Sequence, residues 1–233
     1  MFHGYTTAHV ANILLHICGG TVALIAGFIA LISRKGGSLH IRAGRFFIYA
    51  YFVIVITAIL GIAVFEFRSF LAVATIASSY DVFAGYRALS LRGRRPEPLD
   101  IAMSVLALLA PGVFIVAIAA LHKPWSPALS WSVLGGLLAL SVYDLLRIWL
   151  PFQWLQRVWL QEHLYKMLAA YIAVTATAGA TLFPRLQPWS ALVPVIVGEI
   201  TTLAFLITGP GVWLRHRAPV SPKNLSTHGP VQP

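Results

Sequence analysis

Acid and sulfur are scarce in this chain. Of its 233 residues only 7 are Asp or Glu, 10% are charged in all, and one is cysteine. With Cys18 alone, an internal disulfide and a thiolate metal cluster are both excluded. So little charge beside 58% hydrophobic residues would make an odd soluble domain. No His-x-x-x-His or His-Glu-x-x-His pair, no glycine-rich phosphate loop and no Gly-x-Ser-x-Gly elbow occurs, so the activities that depend on them have no foothold. No Lys or Arg precedes the first apolar run, and that run is too long for a signal-peptide core. It reads as a retained span.

What the chain does contain is long apolar runs. Seven of them, roughly Val10–Ser33, Phe46–Phe65, Phe70–Leu91, Ile101–Leu121, Leu129–Leu150, Leu164–Phe183 and Ala191–Leu214, are each about the length needed to cross ~30 Å of hydrocarbon. The expected fold is all-α, a polytopic bundle of seven transmembrane helices. Residues 1–217 form this membrane domain, and residues 218–233, rich in Pro and small polar residues, form a disordered cytoplasmic tail. Spans 2 and 3, joined only by Glu66, Phe67, Arg68 and Ser69, are expected to form a tight helical hairpin.

Orientation follows from the 17 basic residues. Arg34, Lys35, Arg42 and Arg45 follow span 1; Arg87, Arg92, Arg94 and Arg95 lie in or after the end of span 3. Arg147, Arg157 and Lys166 bracket the connection from span 5 to span 6, and Arg215, Arg217 and Lys223 follow span 7. The opposite side has only Arg68, Lys123 and Arg185. The positive-inside rule therefore puts the amino terminus outside and the carboxyl terminus in the cytoplasm of a bacterial inner membrane. The net charge of +10 is a topology signal whose partner is the anionic cytoplasmic leaflet, and nucleic acid is not expected. A membrane-protein partner or a homo-oligomer is compatible with this pattern.

Between spans 5 and 6, the stretch Pro151–Gln161 sets Trp154, Leu155, Val158 and Trp159 on one side and Gln153, Gln156 and Arg157 on another, which predicts a short amphipathic helix in the cytoplasmic interface. Trp125, Trp131, Trp149 and Trp189 read as interfacial anchors. At 100° per residue, Asn12, His16, Gly20, Ala23 and Gly27 share one face of span 1. Ala74, Ala77, Ser78, Asp81, Ala84, Gly85 and Ala88 share one face of span 3. Small-residue faces admit a neighbouring backbone, so His16 and Asp81 are expected to point into the bundle.

A charge at membrane depth is costly unless paired or hydrated, so each ionisable residue within a span is a site hypothesis. His16 and Glu199, on the first and last spans, are expected to form a buried polar pair in the middle or outer half. His40, His163, Asp81 and Asp144, with Arg87, Arg147 and Lys166, group in the cytoplasmic half. Four imidazole and carboxylate groups from spans 2, 3, 5 and 6 suit a metal such as zinc or iron. His40 and His163 alone suit axial ligation of a b-type haem. A structural ion-pair network, with Asp144 and Arg147 at i,i+3 as its easiest pair, and a substrate or proton pathway remain open beside these. A retinal Schiff base does not, since span 7 has no lysine and Lys35, Lys123, Lys166 and Lys223 all read as lying near membrane surfaces.

Several short motifs add a resemblance. His16 with Gly20 and Gly27, the run Lys35-Gly36-Gly37 followed by His40 and Gly44-Arg45, and Glu162-His163 with Met167, Ala170-Tyr171 and Thr175-Ala176 carry it. On these the chain resembles a bacterial family of multi-pass membrane proteins known only as a domain of unknown function. The resemblance implies an inner-membrane helical protein whose recurrent residues include His16, His40, Gly44, Arg45 and His163, and no activity comes with it. Two functions are expected from the residues themselves: a haem- or metal-binding redox module built on His40 and His163, or a non-enzymatic transporter or accessory subunit of a membrane complex. A membrane metallohydrolase stands behind both, since it needs an open metal position as well.

Overall fold

The computed structural model describes residues 6–65, 67, 69–120 and 127–214, with the backbone alone at 69–70, 127–132 and 209–214. Seven long helices make up almost all of it, and no strand occurs among the described residues. They are α1 (Thr7–Ile32), α2 (Ser38–Leu60, ending in a π-helical turn Gly61–Phe65), α3 (Ser69–Leu91), α4 (Pro98–Ala120), α5 (Pro127–Leu146), α6 (Phe152–Leu182) and α7 (Trp189–Leu214). Each of the seven apolar runs thus falls on one helix. Glu66 and Arg68 of the expected hairpin, the loop with Lys123 and Trp125, the side chain of Trp131, the basic residues Arg215, Arg217 and Lys223, and the tail 218–233 lie outside the described residues.

Four stretches are long and apolar enough to cross a membrane: Thr7–Ile32, Ser38–Phe65, Pro98–Ala120 and Trp189–Thr208. Their outer faces carry large apolar side chains with nothing over them, such as Phe46, Tyr49 and Phe52 on α2, Val113 and Val116 on α4, and Ile207 on α7. In water such faces would be exposed patches far larger than a monomer tolerates; against lipid they are the expected surface. The described fold is thus all helical, with four helices suited by length and composition to cross a membrane.

Local chemistry sets the helix ends on which the polar interior depends. α4 starts with Pro98, whose missing N–H is no loss at a first helical position, and Asp100 reaches back to accept the Glu97 N–H at 2.8 Å. α3 ends where Arg92 and Gly93 adopt positive φ, at 48° and 79°. Gly93 also packs so tightly on the backbone of Gln156 that an added Cβ would sit 2.7 Å from the Gln156 Cα. This contact docks the α3–α4 connection onto the start of α6.

α3 is the central helix. Val82 joins Ala23, Phe47, Tyr51 and Ala170 in a cluster with α1, α2 and α6; Ala77, Tyr80 and Ala84 pack with Ala107, Leu137 and Leu140; Ala72 and Val73 pack with Phe114, Ile118 and Leu134. The small-residue face read from the sequence is buried at Ala77, Ser78, Ala84, Gly85 and Ala88, and α6 uses it: Lys166 and Met167 lie directly over Gly85. α1 and α2 pack along their length, while α5 packs on α3 and α4 and α6 on α3 and α7.

One element departs from expectation. The stretch 151–161 is not a separate interfacial helix: it opens α6, which continues unbroken for 31 residues. Leu155 is fully buried because it belongs to the same stripe as Glu162 and Lys166, at spacings of seven and four.

Candidate functional site

α3, α5 and α6 fall outside the four apolar stretches, and α3 and α6 do so because they carry polar side chains that converge with those of α5. Asp144, in the last turn of α5, is the hub. Lys166 Nζ donates to its Oδ1 at 2.5 Å, Tyr80 Oη donates to its Oδ2 at 2.9 Å, and Arg147 Nη1 lies 3.7 Å from Oδ1. Arg147 Nη2 lies 3.2 Å from Glu162 Oε2, and Tyr143 Oη donates to Glu162 Oε1 at 2.5 Å. The ammonium of Lys166 also sits 5.8 Å from the centre of the Tyr143 ring.

These four charged residues are almost completely enclosed, exposing 1% at Lys166, 3% at Arg147, 6% at Asp144 and 7% at Glu162. Two are cations and two are anions, so the group is neutral. Each ion removed from water costs on the order of several kcal/mol, and only close pairing of opposite charges offsets this. The pairing is nonetheless incomplete: Nε and Nη2 of Arg147 and Oε2 of Glu162 are buried with no hydrogen bond from the protein.

A second pair stands closer to the end of the bundle. Arg87 holds Asp100 through two hydrogen bonds, Nε to Oδ1 at 2.5 Å and Nη2 to Oδ2 at 2.8 Å, and reaches Glu97 at 2.6 Å. Ser104 joins this pair to the hub, since its Oγ is 2.8 Å from Tyr80 Oη and donates to the Asp100 carbonyl at 2.8 Å. A cavity with room for about one water lies between Arg87 and Asp100 on one side and Asp144, Arg147 and Lys166 on the other.

Asp81 is placed differently from Asp144. It is half-buried, within electrostatic reach of Lys166 and Asp144, and has no hydrogen bond or ion pair of its own among the described residues. His40 and His163 are half-buried too, and close enough for their charges to interact. His40 Nδ1 is 2.9 Å from the Ala30 carbonyl and His163 Nδ1 is 2.9 Å from the Gly85 carbonyl. A carbonyl only accepts, so both rings carry their proton on Nδ1 and leave Nε2 free. Outside the spans, Lys35 donates from Nζ to the carbonyls of Ala30 and Leu31, capping α1, and partial burial holds its ammonium below the usual lysine pKa.

Asp144 and Arg147 meet, as their spacing implied. Two other expectations are corrected. His40, His163, Asp81 and Asp144 do not form one metal set: among the described residues no three His, Cys, Asp or Glu side chains could hold a metal ion. The acid that would complete it, Asp144, is already saturated by Lys166, Arg147 and Tyr80. His16 and Glu199 are not a buried pair. His16 Nδ1 lies 2.8 Å from Thr57 Oγ1, whose own hydrogen goes to the Val53 or Ile54 carbonyl, and Glu199 is exposed on α7. Lys166 is the largest fully buried side chain among the described residues.

Sequence reasoning underrated Tyr80, Tyr143, Glu162, Asp100 and Lys166. A signal was there: Glu162 and Lys166 stand four residues apart on the apolar stripe of α6, where a surface pair would not be placed. Cutting that helix at Gln161 hid the stripe. No family model matches this chain, and no curated protein and no solved structure is similar to it, so the site is read from its own geometry.

Proposed function

We propose that the chain is a seven-span protein of the bacterial inner membrane, amino terminus outside and carboxyl terminus in the cytoplasm, and that it is a non-enzymatic, ion-coupled transport protein. The carrying observation is the enclosed group Asp144, Lys166, Arg147 and Glu162 at the junction of α5 and α6 against α3. Ionisable groups are retained at membrane depth where they line ion or substrate pathways, and apolar side chains would hold three helices together at lower cost. The groups are also graded from the end of the bundle inward: Glu97 is about half exposed, Arg87 and Asp100 less so, and Asp144 and Lys166 hardly at all. That gradation supports an access route from the cytoplasmic end.

The test is purified protein in proteoliposomes, with proton, sodium and potassium gradients imposed in turn and ion movement followed by dyes. A gradient-driven flux that Lys166→Met abolishes is expected. Tight vesicles under every gradient would leave the charged group a structural feature only.

One observation favours a second reading. His40 and His163 each give Nδ1–H to a main-chain carbonyl, the arrangement by which haem proteins in general orient an imidazole so that its Nε2 can bind iron. An absorption spectrum of the purified protein decides it, since bis-imidazole haem gives a strong Soret band that His40→Ala and His163→Ala would both remove.

A further inference from the structure

The cavity between the two charged groups has a wall of unequal sign. Arg87, Arg147 and Lys166 stand on it against two carboxylates, Asp100 and Asp144. Every oxygen of those carboxylates already accepts a hydrogen bond: Asp144 Oδ1 from Lys166 and Oδ2 from Tyr80, Asp100 Oδ1 from Arg87 Nε, and Asp100 Oδ2 from Arg87 Nη2 and the Glu97 N–H. The cations are not spent in the same way. Nε and Nη2 of Arg147 are buried without a hydrogen bond, Lys166 gives Asp144 one of its three hydrogens, and Arg87 uses Nε and Nη2 but not Nη1 in its bonds to Asp100 and Glu97. Glu162, whose Oε2 also has no hydrogen bond, lies 3.2 Å from Arg147 Nη2 but is not part of the wall. The wall therefore offers donors and positive charge in excess of acceptors.

We propose that this cavity is a binding site for one monatomic anion, a halide such as chloride. Its room, about that of one water, admits a single small ion and excludes carboxylates, phosphates and sulfate. A halide accepts hydrogen bonds from several directions and donates none. A water would instead bring two further hydrogens to a wall whose carboxylate oxygens are already engaged. Arg147, only 3% exposed, and Lys166, 1% exposed, act on the ion with little water to screen them. Asp100 and Asp144 oppose it, which keeps the ion from being held irreversibly. That the halide is the ion carried through the bundle rests on the transport reading; that it binds does not.

Chlorine-35 NMR on the full chain in detergent reads this without relying on transport. The protein is prepared free of chloride in sodium gluconate and titrated with sodium chloride at constant ionic strength. Excess line broadening that saturates, and that bromide removes, is expected. Ala84→Val fills the cavity without touching a charge, and Arg147→Lys keeps the cation but removes the guanidinium; each is expected to weaken the apparent chloride affinity by about tenfold or more. A loss in either folded variant supports the site, and should one variant fail to fold, the other decides. The proposal is overturned by no saturable chloride broadening, by broadening that bromide or both variants leave unchanged, or by saturable sodium-23 broadening in its place. The two readings fail separately. Chloride binding in a protein whose vesicles stay tight to chloride, proton, sodium and potassium gradients keeps the site and removes the transport reading, while a gradient-driven flux without chloride binding removes the site and keeps transport.

Discussion

Lys166 Nζ and Asp144 Oδ1 are 2.5 Å apart at a point where neither side chain meets the outside of the bundle. The bond joins α6 to α5, and it leaves Asp144 as the acceptor for Tyr80 on α3 as well. Removing the cation alone therefore strands an anion, whereas removing both charges does not. Lys166→Met is expected to destabilise the protein by about 3–5 kcal/mol, and the double variant Asp144→Asn/Lys166→Met to recover much of that. Thermal unfolding in detergent checks it; a double variant no better than the single one would mean the pair is not coupled.

Tyr143→Phe removes one hydrogen bond to the buried carboxylate of Glu162, whose other oxygen already lacks one. A loss of about 2 kcal/mol is expected. The same change at Tyr86, an exposed tyrosine of α3, is the control and should leave the melting temperature unchanged.

How much of this was legible depended on the kind of signal. Apolar runs mark helices through their length, so all seven were readable, and the faces of spans 1 and 3 were readable from the spacing of Gly and Ala. Contacts between helices were not. His16 looked to Glu199 because both are ionisable; Thr57, a residue with a single hydroxyl and no charge, answers it instead, and nothing in α1 announces that α2 brings Thr57 alongside. Asp144 and Arg147 were legible because they lie on one helix at i,i+3, while Lys166 and Tyr80 reach the same carboxylate from helices 22 and 64 residues away in sequence.

Gly93→Ala tests the docking of the α3–α4 connection. Its φ of 79° disfavours a side chain, and the Cβ would press on the Gln156 backbone, which has no flexible end to move. A cost of roughly 1–3 kcal/mol from the backbone strain alone is expected, with the contact adding to it. Gly36→Ala shares the positive φ without the contact, so it should cost measurably less in the same melting experiment.

Topology is checked in cells. A reporter fused after Pro233 is expected to be active in the cytoplasm, and one inserted between Lys123 and Ser126 on the outer side. An external carboxyl terminus would overturn the seven-span reading and with it the cytoplasmic assignment of the Arg87–Asp100 end.

The unbroken course of α6 has a mechanical consequence. At 1.5 Å per residue its 31 residues extend about 46 Å, some 15 Å more than the hydrocarbon needs. Gln156, gripped by Gly93, and Lys166, gripped by Asp144, therefore sit about 15 Å apart on one stiff rod with no joint between them. A push on the loop at residues 92–97 arrives at the buried ammonium as a tilt or rotation, and a shift of the ammonium arrives at the loop in the same way.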